Sequence, residues 1–183
     1  MQAVLDACDA ERLRATPAVL ITNNRNAGAI GRAQQAGIAV HVLNGVTHPD
    51  PDGLDAAILG ALKLADCDLI VLAGYMKKLG PRVLGGYRHR IVNIHPSLLP
   101  RHGGPGMYGI HVHRAVIEAG DPITGVSVHL VDEEYDSGRV LAQTEVPVAS
   151  DDTPESLSAR VLEVEHQFLV ETLGRICDRE IIP

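Results

Sequence analysis

Four short apolar, β-branched runs separated by helix-patterned segments constrain this chain more than any other feature. Residues 18–22, 39–43, 69–73 and 90–94 read as strands, and residues 27–36, 54–64 and 81–86 between them carry helical patterning. Near-continuous apolar character is expected of parallel strands covered on both faces, and strand–helix–strand alternation is the rhythm of an open doubly wound sheet. The expected class is therefore α/β with a mostly parallel, Rossmann-like sheet. The second half changes pattern: residues 108–119 read as a helix, 125–131 and 139–148 as antiparallel strands, and 153–177 as a long closing helix. Thr153-Pro154-Glu155 supplies its cap, with proline in the first turn where its missing N–H costs nothing.

The chain opens directly in a helical pattern (Val4, Leu5, Cys8, Leu13), whereas a doubly wound sheet generally begins with a strand. A first strand is thus expected to be absent, leaving its neighbours' hydrogen-bonding edges open. At 183 residues the length fits one domain, residues 1–183, with a substantial core. A composition 45% hydrophobic and 21% charged excludes a disordered chain. No apolar run approaches the roughly 18 to 20 residues that cross a bilayer, and the N-terminus does not read as a signal peptide, so a cytoplasmic protein is expected. A formal charge of −7 without a basic stripe argues against a nucleic-acid surface and leaves small molecules as the expected partners. Cys8, Cys67 and Cys177 have no C-x-x-C spacing and read as buried thiols rather than disulfide or zinc ligands.

The densest chemical signal is Ile91-Val-Asn-Ile-His-Pro-Ser-Leu-Leu-Pro100. With a strand period of two, Asn93 and His95 fall on one face at a carboxyl end, where α/β sheets bind ligands, and Pro96 stops the ladder. Such a pair also serves merely to satisfy backbone groups at a strand end. A second signal is Val131-Asp-Glu-Glu-Tyr-Asp-Ser-Gly138, an acidic loop that by itself reads as a solvated turn. Taken together they say more, since a carboxylate brought to an imidazole favours the imidazolium and raises its pKa toward working pH. His111 and His113, two apart on a helix, point in different directions and do not make a metal site, so no metal is expected. Tyr108 and His111 are placed beside the Gly-rich loop of residues 100–109, and His129 is read as a core or supporting residue.

These motifs, together with Gly106-Met-Tyr-Gly-Ile-His-Val-His113, Leu72-Ala-Gly-Tyr-Met76 and Glu163-Val-Glu-His166, closely resemble the folate-dependent formyltransferases, in particular those of purine biosynthesis that act on glycinamide ribonucleotide. The resemblance covers almost the whole chain. It implies the formyltransferase fold and formyl transfer from 10-formyltetrahydrofolate to the amine of glycinamide ribonucleotide, without metal. It assigns Asn93, His95 and Asp136 as catalytic: Asn93 donates to the developing oxyanion, His95 shuttles a proton, and Asp136 holds His95. Met76, Lys77, Lys78 and Leu79, with Asn93, Asp132, Glu133, Glu134, Tyr135 and Asp136, are implied to hold the folate. Leu162, Glu163, Val164 and Glu165 are implied to border the nucleotide substrate. Members of that family grip the substrate phosphate with a glycine-rich turn after the first strand, and Met1 to Cys8 matches the helix that follows it, so the cradle is expected to be missing. The expectation is a start placed too far downstream rather than a genuine short form. Related alternatives are a formyltetrahydrofolate hydrolase, a methionyl-tRNA formyltransferase, and a non-catalytic folate or nucleotide binder. A monomer or a homodimer is expected.

Overall fold

A computed structural model describes residues 1–183. Its elements run α1 (Gln2–Asp9), β1 (Val19–Thr22), α2 (Gly28–Gln35), β2 (Ala39–Val42), α3 (Pro51–Leu64), β3 (Ile70–Leu72), α4 (Pro81–Gly86), β4 (Ile91–His95), α5 (Ile110–Glu118), β5 (Ile123–Leu130), β6 (Val140–Pro147) and α6 (Pro154–Cys177). The α/β alternation expected from the sequence is present, with its antiparallel C-terminal strands and long last helix. Helix α3 begins three residues before the apolar periodicity suggests, because Asp50 accepts from the Gly53 amide at 2.8 Å and Pro51 opens the first turn. At α6 the Thr153 side chain accepts from the Ser156 amide and Ser156 bonds back to the Thr153 amide, a reciprocal cap.

The strands form two sheets. Strand β1 pairs parallel with β2, and β3, β4, β5 and β6 follow one another in the second sheet, β3–β4 parallel and the other two pairs antiparallel. Between β1 and β3 lies a slot of about 960 Å³ lined by apolar side chains including Leu5, Leu20, Ile21, Ile70 and Leu72. The open strand edges expected from the sequence flank it. The expectation that all four N-terminal strands are buried on both faces is corrected by the same slot: β1, β2 and β3 are largely half-buried, and Val71 is exposed. The cysteines are corrected too, Cys8 and Cys67 being half-buried and Cys177 exposed.

Strand β4 is the element that the two apolar clusters enclose. Val92 and Ile94 join Val126, Val128, Leu157, Phe168 and Leu169 in one cluster, whereas Ile91 joins Ile58, Leu62, Ile70 and Val83 in the other. Alternating side chains along a pleated strand carry these two sets to opposite faces. Asn93 and His95 continue the Ile91 face past the end of its cluster, so a firmly packed strand delivers two polar side chains to a rim. Ile91 and Val92 are almost completely buried, and truncating such an isoleucine to alanine costs about 2–5 kcal/mol, so β4 is firmly anchored beneath its polar end.

Candidate active site

Across the β4–β5 ladder Asn93 stands opposite His129, and His95 opposite Ser127. Ser127 and His129 share a face because they are two apart, with Val126 and Val128 on the other. A register shift between Val128 and His129 in the β5–β6 pairing re-aims the strand at this point, the usual effect of a bulge beside a site. Asp136 arrives from the β5–β6 loop in a left-handed conformation (φ 55°), which aspartate tolerates better than most residues. The three residues that the resemblance assigns to catalysis are thereby brought together.

Their hydrogen bonds fix which atoms are free. His95 Nε2 lies 2.8 Å from the carbonyl oxygen of His102. A carbonyl only accepts, so Nε2 carries the proton, and Nδ1, 3.6 Å from Asp136 Oδ2, is the nitrogen left for chemistry. His129 Nδ1 donates to the Leu130 carbonyl at 2.7 Å, leaving Nε2 to accept from Asn93 Nδ2 at 3.0 Å. Asp136 Oδ2 accepts from the Gly104 amide at 2.9 Å, and Oδ1 is 3.5 Å from His129 Nε2. The 101–104 segment comes this close only because residue 103 is glycine: a Cβ there would meet the Leu99 side chain and lie 3.2 Å from Asp136 Cβ.

Burial dominates the electrostatics of His95. Its pKa lies below the usual histidine value because desolvation of the charged ring outweighs the opposing pull of Asp136. The expected rise toward working pH is thus overturned: His95 is 4% exposed, and taking its charged form out of water costs more than one carboxylate at 3.6 Å returns. Burial also pushes Asp136 up, but the opposing pull of His95 and the Gly104 amide bond help to hold it below the ordinary carboxylate value. The resting pair is neutral imidazole beside carboxylate.

The residues implied to hold a folate divide. Lys77, Lys78, Leu79 and residues 132–136 line a cleft of about 60 Å³ together with Leu72, Tyr75, Asn93, His129 and Val131. Met76 is outside it and half-exposed. Lys78 Nζ bridges the cleft, 3.3 Å from Glu134 Oε2 and 5.1 Å from the Tyr135 ring centroid. Small-molecule pockets usually span about 300–1,000 Å³, so this cleft must widen to take a ring system, and its two walls are loops joined by an exposed contact. Leu162 and Glu163 lie exposed on α6, with Val164 and Glu165 half-buried, and none of them lines this cleft. Glu165 has no hydrogen-bond or ion-pair partner, and burial alone pushes its pKa up to about 7. His113 is buried in α5, while His111 meets Tyr108 edge-on with centroids 5.5 Å apart.

His129, expected from the sequence to be a core or supporting residue, is buried and supports Asn93, whereas His102 is not among the residues that the sequence singles out. Polar Ser127 and His129 alternating with valines in an apolar strand were the available signal for the first. The role of His102 runs through its backbone, which leaves no trace in residue type.

A family model described as Formyl transferase matches residues 1–173. The chain is 40% identical over 177 residues to the Arabidopsis thaliana protein named phosphoribosylglycinamide formyltransferase, chloroplastic, an alignment covering 96% of this chain and 61% of that one. To the Escherichia coli (strain K12) phosphoribosylglycinamide formyltransferase it is 37% identical, covering 91% of this chain and 76% of that one. The crystal structure of phosphoribosylglycinamide formyltransferase from Bacillus halodurans superposes with a TM-score of 0.88 at 36% identity, over 96% of this chain and 88% of that chain. The chain spans less than two thirds of the Arabidopsis relative's length. With a model match over nearly all its residues and these relatives, the chain belongs to the formyl transferase family.

Proposed function

We propose that this chain transfers the formyl group of 10-formyltetrahydrofolate to the primary amine of glycinamide ribonucleotide, with Asn93, His95 and Asp136 as its catalytic residues. The observation that carries the reading is the convergence, at the end of one buried strand, of an amide N–H, an unengaged imidazole nitrogen and a carboxylate. The donor set suits acyl transfer. Asn93 has given one Nδ2 proton to His129 and keeps the other for the formyl oxygen as it gains charge, a contribution typically worth about 10²–10³ in rate. His95 Nδ1, kept neutral by burial, accepts the proton that the attacking amine loses, and Asp136 stabilises the imidazolium so formed. The new bond joins the amine nitrogen to the formyl carbon; the bond from that carbon to the folate nitrogen breaks, and His95 returns the proton to the departing nitrogen.

The cleft residues 77–79 and 132–136 are the proposed folate contacts. Glu165, a partly buried carboxylate without a partner, is the proposed acceptor for hydroxyl donors of the nucleotide, with residues 162–164 beside it. We assign the chain to the cytoplasm as one domain, monomeric or homodimeric, with these two small molecules as its partners. A net charge of −7 supports small molecules over nucleic acid, and no helix is long and apolar enough to cross a membrane.

The test is to incubate the chain with both substrates and quantify formylated amine, tetrahydrofolate and free formate by mass spectrometry. Formylated amine that falls by about 10²–10⁴ in His95→Ala supports the reading. Free formate without formylated amine would instead identify a hydrolase, and no turnover would end the proposal.

A further inference from the structure

One ion-pair cluster takes no part in the steps above, yet it adjoins them through the backbone. Asp121, just past α5 and 8% exposed, accepts from His102 Nε2 at 2.7 Å and pairs through its other oxygen with Arg101. His102 is itself in the left-handed region (φ 52°), where a non-glycine side chain is held at a cost unless something secures it. The segment so secured presents two backbone groups inward, two residues apart. The His102 carbonyl receives His95 Nε2–H, and the Gly104 amide donates to Asp136. Both halves of the His95–Asp136 pair are therefore held by one short segment, whose outer side is tied down by Asp121.

We propose that Asp121 is a positioning residue for the reaction: by binding His102 and Arg101 it fixes the 101–104 backbone, which in turn fixes the His95 tautomer and the Asp136 carboxylate. The inference rests on the catalytic reading of His95 and Asp136. With the segment in place, Nε2 must carry the proton and Nδ1 must face the site. Once it drifts, Nε2–H loses its acceptor, both tautomers populate, and part of the enzyme presents a protonated Nδ1 that cannot take the amine proton. Misplacement by about 1 Å costs up to about 10²-fold in rate, so an anchor remote from substrate can matter to kcat.

The experiment pairs steady-state kinetics with ¹⁵N NMR of the histidine rings in the whole chain, comparing Asp121→Ala and His102→Asn. Asparagine tolerates the left-handed conformation but cannot reproduce the imidazole contact, so it carries the test where Asp121→Ala does not fold. Wild-type His95 is expected as a single Nε2–H tautomer, and each variant as a mixture. In both variants kcat is expected to fall roughly tenfold with either KM within about threefold. The acid limb of the kcat/KM profile is expected to move to lower pH, because the His102 carbonyl supports the charged ring; the ionisable side chains that face it are Asp136, His129, His102 and His113. A single Nε2–H tautomer in both variants overturns the proposal whatever kcat does, and so does a mixture with unchanged kcat. A wild-type chain without formyl transfer defeats the functional reading instead, while the tautomer measurement, which needs no substrate, still decides the anchoring.

Discussion

Asn93 Nδ2 lies 3.0 Å from His129 Nε2, directly across the β4–β5 ladder. Because His129 Nδ1–H is committed to the Leu130 carbonyl, the neutral ring offers Nε2 only as an acceptor, and this turns the nitrogen end of the Asn93 amide toward it. The amide is then fixed in one of its two flips, with its second N–H in a defined direction.

If His129 acts by holding that flip, His129→Phe, which keeps a ring but loses the acceptor, should lower kcat by roughly three- to tenfold, the worth of one ordinary hydrogen bond. Placed on an Asn93→Ala background the same substitution should cost nothing further. A double-mutant cycle on kcat checks this, and additive losses would show that the two side chains act separately.

Gly103 sets the distance between the 101–104 segment and the β5–β6 loop. A methyl group there meets Leu99 and Asp136, so Gly103→Ala is expected to push Asp136 off the Gly104 amide. Overpacking of this kind costs about 1–3 kcal/mol, to be read from urea unfolding, and ¹³C NMR should show the Asp136 pKa rising as that amide bond is lost. An unchanged Asp136 pKa would mean that the segment yields without moving the carboxylate.

His95 makes a pH prediction of definite sign. Burial holds its folded pKa below the ordinary histidine value of about 6.5, so between the two values the unfolded chain binds a proton that the folded chain does not. Its contribution to stability is thus present above 6.5 and lost as pH falls through that window. Unfolding at pH 7 and pH 5 should show a smaller loss in His95→Gln than in wild type. Asp136→Asn removes the one carboxylate supporting the charged ring, so the His95 pKa should fall further and the acid limb of the rate profile should move to lower pH.

How much of this was legible follows from where each constraint resides. The strand and helix order could be read because apolar periodicity is a property of consecutive residues, and Asn93 and His95 share a face by the same local rule. Asp136 comes from a loop after two further elements, and no spacing rule ties it to His95; only the family resemblance did. The half-exposure of β1 to β3 depends on the slot between two sheets, which a run of apolar residues cannot report. The depressed pKa of His95 was misjudged because the sequence shows the carboxylate and not the burial. The grip of Asp121 on the His102 ring joins a loop to a helix end across 19 residues, and its effect reaches His95 through the His102 carbonyl, so no spacing rule in the sequence ties the three together.

Glu165 should behave in the opposite sense to His95. Burial without any partner raises its pKa from 4.5 to about 7, so between those values the folded chain holds a proton that the unfolded chain has released. The stability tied to that proton is fully present below about 4.5 and lost as pH rises through 7. Glu165→Gln keeps the shape and removes the charge, and should stabilise the chain at pH 8 by roughly 1–2 kcal/mol after allowing for partial solvent exposure, with no gain at pH 4. The same charge is what a hydroxylated substrate would need. The KM for glycinamide ribonucleotide should therefore fall as pH rises through 7 in the wild type and stay flat, and about tenfold higher, in Glu165→Gln, since a hydrogen bond to a charged group is worth about 1–1.5 kcal/mol more than one to a neutral amide oxygen. Stabilisation without a change in KM would place Glu165 away from the substrate; a changed KM without stabilisation would mean that water already solvates the carboxylate in the free enzyme.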